Sequence, residues 1–172
     1  MNPGIALPIV TMSEAQAYVR IETGEEEAVL AGLIRTASAL CEAFINQVVI
    51  ARGYSVELPA TGSWERVPLT PVRSIDLVEN GDAAIALTPS DYSIDIDSSG
   101  DGWVRTFRAD VQGVRVSGSA GMAEDVNGVP EPIRQGVLRL VAHLYSSRDG
   151  EGGEAPAAVT ASWRPYRRLR LS

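Results

Sequence analysis

The sequence contains no lysine: all fifteen basic residues are arginine. That excludes a P-loop lysine, a Schiff-base lysine and a kinase-type lysine together. Cysteine and histidine occur once each, as Cys41 and His143. One cysteine cannot form an internal disulfide, and the usual Cys/His zinc sites need more ligands than two. No continuous apolar run approaches the ~18 residues of a membrane span, so no membrane partner is expected. The first ten residues, M-N-P-G-I-A-L-P-I-V, hold two prolines and no basic residue. They read as an ordered lead-in to a chain made in the cytoplasm, not as a signal peptide. No internal repeat is visible.

Apolar residues make up 45% of the 172-residue chain, enough for one domain with an ordinary core. The dominant stretch is Glu25–Val49. Apolar residues recur there at Val29/Leu30, Leu33/Ile34, Ala37, Leu40/Cys41, Phe44/Ile45 and Val48, the spacing of one helix face. Three glutamates, residues 25–27, sit at the positive end of the helix dipole. A helix of about 25 residues would run roughly 37 Å. Before it, Thr11-Met12-Ser13-Glu14 forms a capping box for a short helix over 13–21.

From Gly53 the period changes from helical to alternating. Strands are expected at 54–58, 64–67, 74–79, 83–87, 91–97, 103–108 and 111–117. The 74–79/83–87 pair should form a hairpin around Asn80-Gly81-Asp82. A glycine-rich linker over 118–129 then leads to a second long helix. Pro130-Glu131-Pro132 starts it, with Ile133, Val137, Leu140/Val141 and Leu144/Tyr145 as its apolar stripe. The predicted fold class is α+β. Helical segments 11–50 and 130–150 form a bundle on two long helices, 53–118 is an inserted antiparallel β subdomain, and 151–172 is a flexible C-terminal arm.

That arm is chemically distinct. Residues 155–172 hold four arginines and no acid, a formal +4, which leaves −11 for residues 1–154 of the total −7. Trp163, Arg164, Tyr166, Arg167, Arg168, Leu169, Arg170 and Leu171 interleave aromatic or aliphatic groups with the arginines. Such residues anchor protein interfaces. The same arginines would neutralise a few phosphates, but the acidic body opposes close approach of DNA. A third reading folds the arm back on its own acidic body. Docking to a protein partner is the favoured one.

The remaining candidates carry little chemistry. His143 falls off the apolar stripe and lacks any motif partner, so packing or a subunit contact is expected. Cys41 reads as core. The acidic turn 95–102 starts like a calcium loop, but its twelfth position is Thr106 instead of a bidentate acid, and strands flank it. A tight hairpin turn is expected there. No G-x-G-x-x-G or G-x-S-x-G occurs in the needed context, so neither cofactor nor catalytic residue is assigned.

The order of elements resembles the head–tail connector family of long-tailed phages and gene-transfer agents. The resemblance rests on Val19-Arg20-Ile21 closing the first helix and on Ala37 and Glu42 in the second. It extends through V-P-L-T-P-V-R-S-I (67–75), the closing helix over 129–149 and the terminal W-R-P-Y-R-R-L. It implies a non-enzymatic adaptor in the neck of a virion or gene-transfer-agent particle. Copies would form a ring, a dodecamer, between the portal protein and the next head–tail joining protein. DNA would pass through without sequence-specific contact. The arm would reach the portal and be disordered in the free monomer. The alternative is a DNA-binding packaging accessory that uses the arginine-rich arm.

Overall fold

The computed structural model describes residues 5–21, 24, 26–81, 84–147 and 155–169. It is an α+β chain of four helices and two small antiparallel sheets. The described residues divide into two compact units, one within 51–122 and one within 5–50 and 123–169.

In the helical unit, α1 spans Met12–Val19. The capping box forms as expected: the Thr11 hydroxyl accepts from the Glu14 amide, and the Glu14 carboxylate accepts from the Thr11 amide at 2.8 Å. Arg20 ends the helix by adopting the left-handed conformation, φ 59°, so the predicted extension to Ile21 does not occur. α2 spans Glu27–Ile45, 19 residues instead of the predicted 25. Its end is set by Asn46, a residue that tolerates the left-handed region, at φ 56°. Val48 and Val49 are buried beyond the helix, and Glu42 accepts the Val49 amide at 2.8 Å. α3 spans Glu131–Ser146 and α4 spans Ala157–Trp163. The helices pack on one another through Leu30, Ile34, Ala37, Cys41 and Ile45 of α2 and Ile133, Val137, Leu140 and Val141 of α3.

α2 departs from the sequence reading in a second way. It is long and apolar enough by composition to cross a membrane, with a mean hydropathy of 1.6. The reason is that its outward stripe, including Val29 and Leu40, is also apolar. Its buried stripe is covered by the other helices and includes Ser38, whose hydroxyl accepts the Ile9 amide at 3.0 Å.

In the β unit, one sheet has the order β1-β6-β3, with β1 at Arg52–Pro59, β3 at Val72–Asn80 and β6 at Gly113–Ala120. Strand β1 alternates cleanly, burying Tyr54, Val56 and Leu58, and Val56 sits opposite Val116. The second sheet has the order β2-β5-β4, with β2 at Glu65–Arg66, β4 at Tyr92–Ile96 and β5 at Gly102–Thr106.

Three expectations change here. The expected hairpin forms only in part: the return segment makes one antiparallel bridge, Glu79 to Ala86, with the Leu87 amide donating to the Val78 carbonyl at 2.9 Å and the Asn80 amide to the Ile85 carbonyl at 2.8 Å, while the other edge of β3 pairs along its length with the distant β6. Asp82 and Ala83 of the expected turn lie outside the described residues. The last strand runs past Ser117 to Ala120, because Gly118 lets the Ser74 carbonyl approach within 2.1 Å of where a Cβ would stand. The remainder of the expected glycine-rich linker is short and structured. Ala123 bridges to Ile50, and a 3-10 turn over Val126–Gly128 is capped by the Asp125 carboxylate.

Candidate functional site

The arm is not a flexible tail over residues 155–169. Pro156 precedes α4, which carries Trp163 into the helical core, where it is 1% exposed. Its indole N–H donates to the Ile133 carbonyl at 3.2 Å, and its ring lies 5.9 Å from that of Phe44 in a tilted pair. α3 makes room for it at Gly136, where an added Cβ would stand 2.2 Å from the indole nitrogen. An aromatic body buried with its N–H satisfied belongs to the core. Trp163 therefore does not serve as an exposed docking side chain.

Beyond Trp163 the chain makes a 3-10 turn over Arg164–Tyr166 and lies against the C-terminal end of α2. The Gln47 amide donates to the Tyr166 carbonyl at 2.5 Å, and the Asn46 amide to the Arg168 carbonyl at 3.3 Å. The Arg168 amide donates to the Ile45 carbonyl at 2.9 Å. That carbonyl is one of the last in α2, which has no intrahelical donor, so the arm satisfies a helix end. The Arg167 guanidinium sits 5.4 Å above the Phe44 ring, a cation–π contact that also places positive charge at the negative end of the α2 dipole.

What the arm leaves to solvent is Arg164, Pro165, Arg167 and Leu169, with Tyr166 and Arg168 half-buried. Leu169 is 76% exposed. Arg170 and Leu171, and the linker residues 151–154, lie outside the described residues. Of the sequence alternatives, folding back on the chain's own body describes residues 155–169, but apolar burial of Trp163 drives it instead of charge. Of the receiving residues, Phe44 lies in the apolar stripe read for the long helix, while Gln47 and Gly136 were not singled out from the sequence. The available signal was Gly136, a glycine inside an otherwise well-formed helical stripe.

The other candidates lie elsewhere in the fold. His143 lies half-buried on α3, its Nε2 enclosed without a hydrogen-bond partner among the described residues. Cys41 is fully buried, and desolvation pushes its thiol well up, so it is a core residue and not a nucleophile. In the acidic turn, Asp97 accepts from the amides of Ser99 (2.8 Å) and Asp101 (3.0 Å) and from the Trp103 indole (3.2 Å). Asp101 pairs with Arg66 at 2.7 Å. The carboxylates hold a hairpin turn together, and among the described residues no group of three potential ligands is placed for a metal. Glu14 joins α1 to α3 through Arg134, and its carboxyl is held below the usual range, first by the Thr11 amide. On the surface of the β unit, Arg108 grips Asp110 and holds its carboxyl down to about 2.

The described residues form an α+β chain of four helices and two small antiparallel sheets. No family model matches the sequence, and no curated protein does. Solved structures do match. The chain is similar over 100% of its length to 94% of a chain from the neck of an empty GTA particle computed with C6 symmetry, at 24% identity and a TM-score of 0.73. A chain from the virion of a native gene transfer agent particle matches at 24% identity and 0.71, over 99% of this chain and 93% of that one. A chain from the neck of a native GTA particle computed with C12 symmetry matches at 20% identity and 0.72, over 100% and 94%. The fold is thus the one these particle chains have, in agreement with the resemblance to head–tail connectors read from the sequence.

Proposed function

We propose that this chain is a structural, non-enzymatic adaptor in the neck of a phage-like or gene-transfer-agent particle. Twelve copies form a ring between the portal protein and the next head–tail joining protein, and DNA passes through the ring. The observation that carries the reading is the end-to-end likeness of fold to chains from particle necks, which leaves almost none of either chain unmatched. The strongly acidic body supports the path of the DNA, since like charge favours passage of phosphates over their retention. The exposed Arg164 and Arg167, fixed on the end of α2, are the portal-facing groups of the arm. Ordering them in advance lowers the cost of docking.

The test is cross-linking followed by affinity capture from particle-producing cells, with the full chain and with an Arg164→Glu/Arg167→Glu variant that leaves Trp163 in the core. Capture of the portal protein by the full chain, lost in the variant, is the expected result. Recovery of DNA without portal protein, with affinity falling steeply in salt, would move the chain to the packaging-accessory class. Absence of the chain from purified particles would end the adaptor reading.

A further inference from the structure

We infer that the open edge of β4 receives the C-terminal segment of a neighbouring copy, which adds to the sheet as a fourth strand. The inference rests on the ring reading, and it supplies one contact that such a ring requires. A ring interface is head-to-tail, so each copy must offer two different surfaces that fit each other.

The first surface is β4. It is the last strand of its sheet and pairs only with β5. The Asp91 carbonyl accepts the Phe107 amide at 2.8 Å, and the Asp97 amide donates to Asp101 at 3.0 Å. These two bonds fix the alternation of an antiparallel pair. Odd-numbered residues bond to β5, while the backbone groups of Tyr92, Ile94 and Ile96 point outward. Among the described residues, no other strand pairs with them.

Side chains show the same gap. Ile94 sits opposite the buried Val104, on the core-facing side of the sheet, and Ile96 shares that side. Yet they are 44% and 38% exposed, because the core face runs out at the edge. Tyr92–Ile96 contains no lysine, proline or bulge, the usual devices that keep an edge from pairing. One charge, Asp95, lies on the opposite face.

The second surface is the segment Arg168-Leu169-Arg170-Leu171. It alternates with the period of a strand, leucine on one side and arginine on the other. The chain enters it in extended conformation, with ψ 124° at Arg167, and Leu169 is exposed. Laid antiparallel on β4, Leu169 faces Ile96, Leu171 faces Ile94 and Arg170 faces Asp95. Apolar meets apolar and cation meets anion in one register, while the outward backbone groups of Ile94 and Ile96 gain partners. This is strand addition to a sheet edge, with alternate side chains setting the register.

The register predicts a cross-link. Asp95 and Arg170 form the non-hydrogen-bonded pair, with Cα atoms about 4.5 Å apart, within reach of a disulfide. Copies carrying Asp95→Cys and copies carrying Arg170→Cys are produced together in particle-forming cells, and the purified particles are mildly oxidised. The native Cys41 is buried and stays silent. The expected result is a disulfide-linked dimer of the chain that is absent when either variant is produced alone. Particles that contain both variants but yield no dimer overturn the strand pairing and leave the adaptor reading intact. Particles that lack the wild-type chain overturn both. In a second measurement, Asp95→Arg should reduce incorporation into particles at least several-fold, and combining it with Arg170→Asp should restore it. Unchanged incorporation of a folded Asp95→Arg chain would also overturn the pairing.

Discussion

Replacing Gly136 by alanine should destabilise the protein, although alanine is the better helix former by about 1 kcal/mol. The added Cβ would stand 2.2 Å from the Trp163 indole nitrogen and 2.8 Å from its ring carbon, with Ser162 Oγ at 3.0 Å. The indole is enclosed and hydrogen-bonded, so it cannot swing aside without leaving the core. Overpacking of this kind costs about 1–3 kcal/mol or more, so the net loss should be about 1–2 kcal/mol. Trp163→Ala alone should cost about 3–5 kcal/mol through the cavity it leaves. In that background the clash with the indole is gone and only the Ser162 hydroxyl at 3.0 Å must give slightly, so Gly136→Ala should become stabilising by up to about 1 kcal/mol. The two changes are therefore coupled by about 2–3 kcal/mol, at the top of the range for residues in contact. Urea unfolding of the four proteins, followed by far-UV circular dichroism, measures the cycle. If Gly136→Ala costs the same with and without Trp163, the docking of α4 on α3 is refuted.

Three further outcomes are expected. Gly118→Ala should destabilise the β unit by about 3 kcal/mol, because its Cβ would collide with the Ser74 carbonyl; faster hydrogen exchange in β6 and β3 would register it. Glu14 has a depressed pKa in the fold, so its stabilisation is complete above its ordinary value near 4.5 and lost as pH falls through the lower folded value. Glu14→Gln should then be less stable than the parent at neutral pH, with the gap closing below about pH 4.5 in urea midpoints. Cys41 should stay unreactive toward a thiol reagent in the native protein and react only at the rate of unfolding. Rapid modification under native conditions would contradict its place in the core.

Periodicity and capping chemistry made much of the fold legible. The stripe of α2, the Thr11–Glu14 box, the start of α3 and the alternation in β1 and β5 all express local rules, and the structure follows them. Where it departs, a non-local or single-residue effect decides. Asn46 stops α2 by a left-handed turn, while the apolar pattern continues into Val48 and Val49. β6 lies between β1 and β3, a pairing that no local pattern encodes, while the expected hairpin is kept only as a short bridged return at 85–87. Over residues 155–169 the arm departs from expectation for a similar reason. Its composition reads as flexible, but its receptor is a gap at Gly136 and a helix end at Ile45, both far away in sequence. An aromatic residue among arginines suits an interface and a core equally well, and only the partner surface tells them apart.

The bridge between Ile50 and Ala123, with the Ala123 amide bonded to the Val49 carbonyl at 2.9 Å, has a consequence for how this protein can change. Residues 51–122 leave the helical unit and return to it at adjacent points, and the clasp that joins those points belongs to the helical unit itself. The β unit is therefore a cassette. An insertion or deletion within it leaves the two attachment points, Ile50 and Ala123, bridged to each other inside the helical unit.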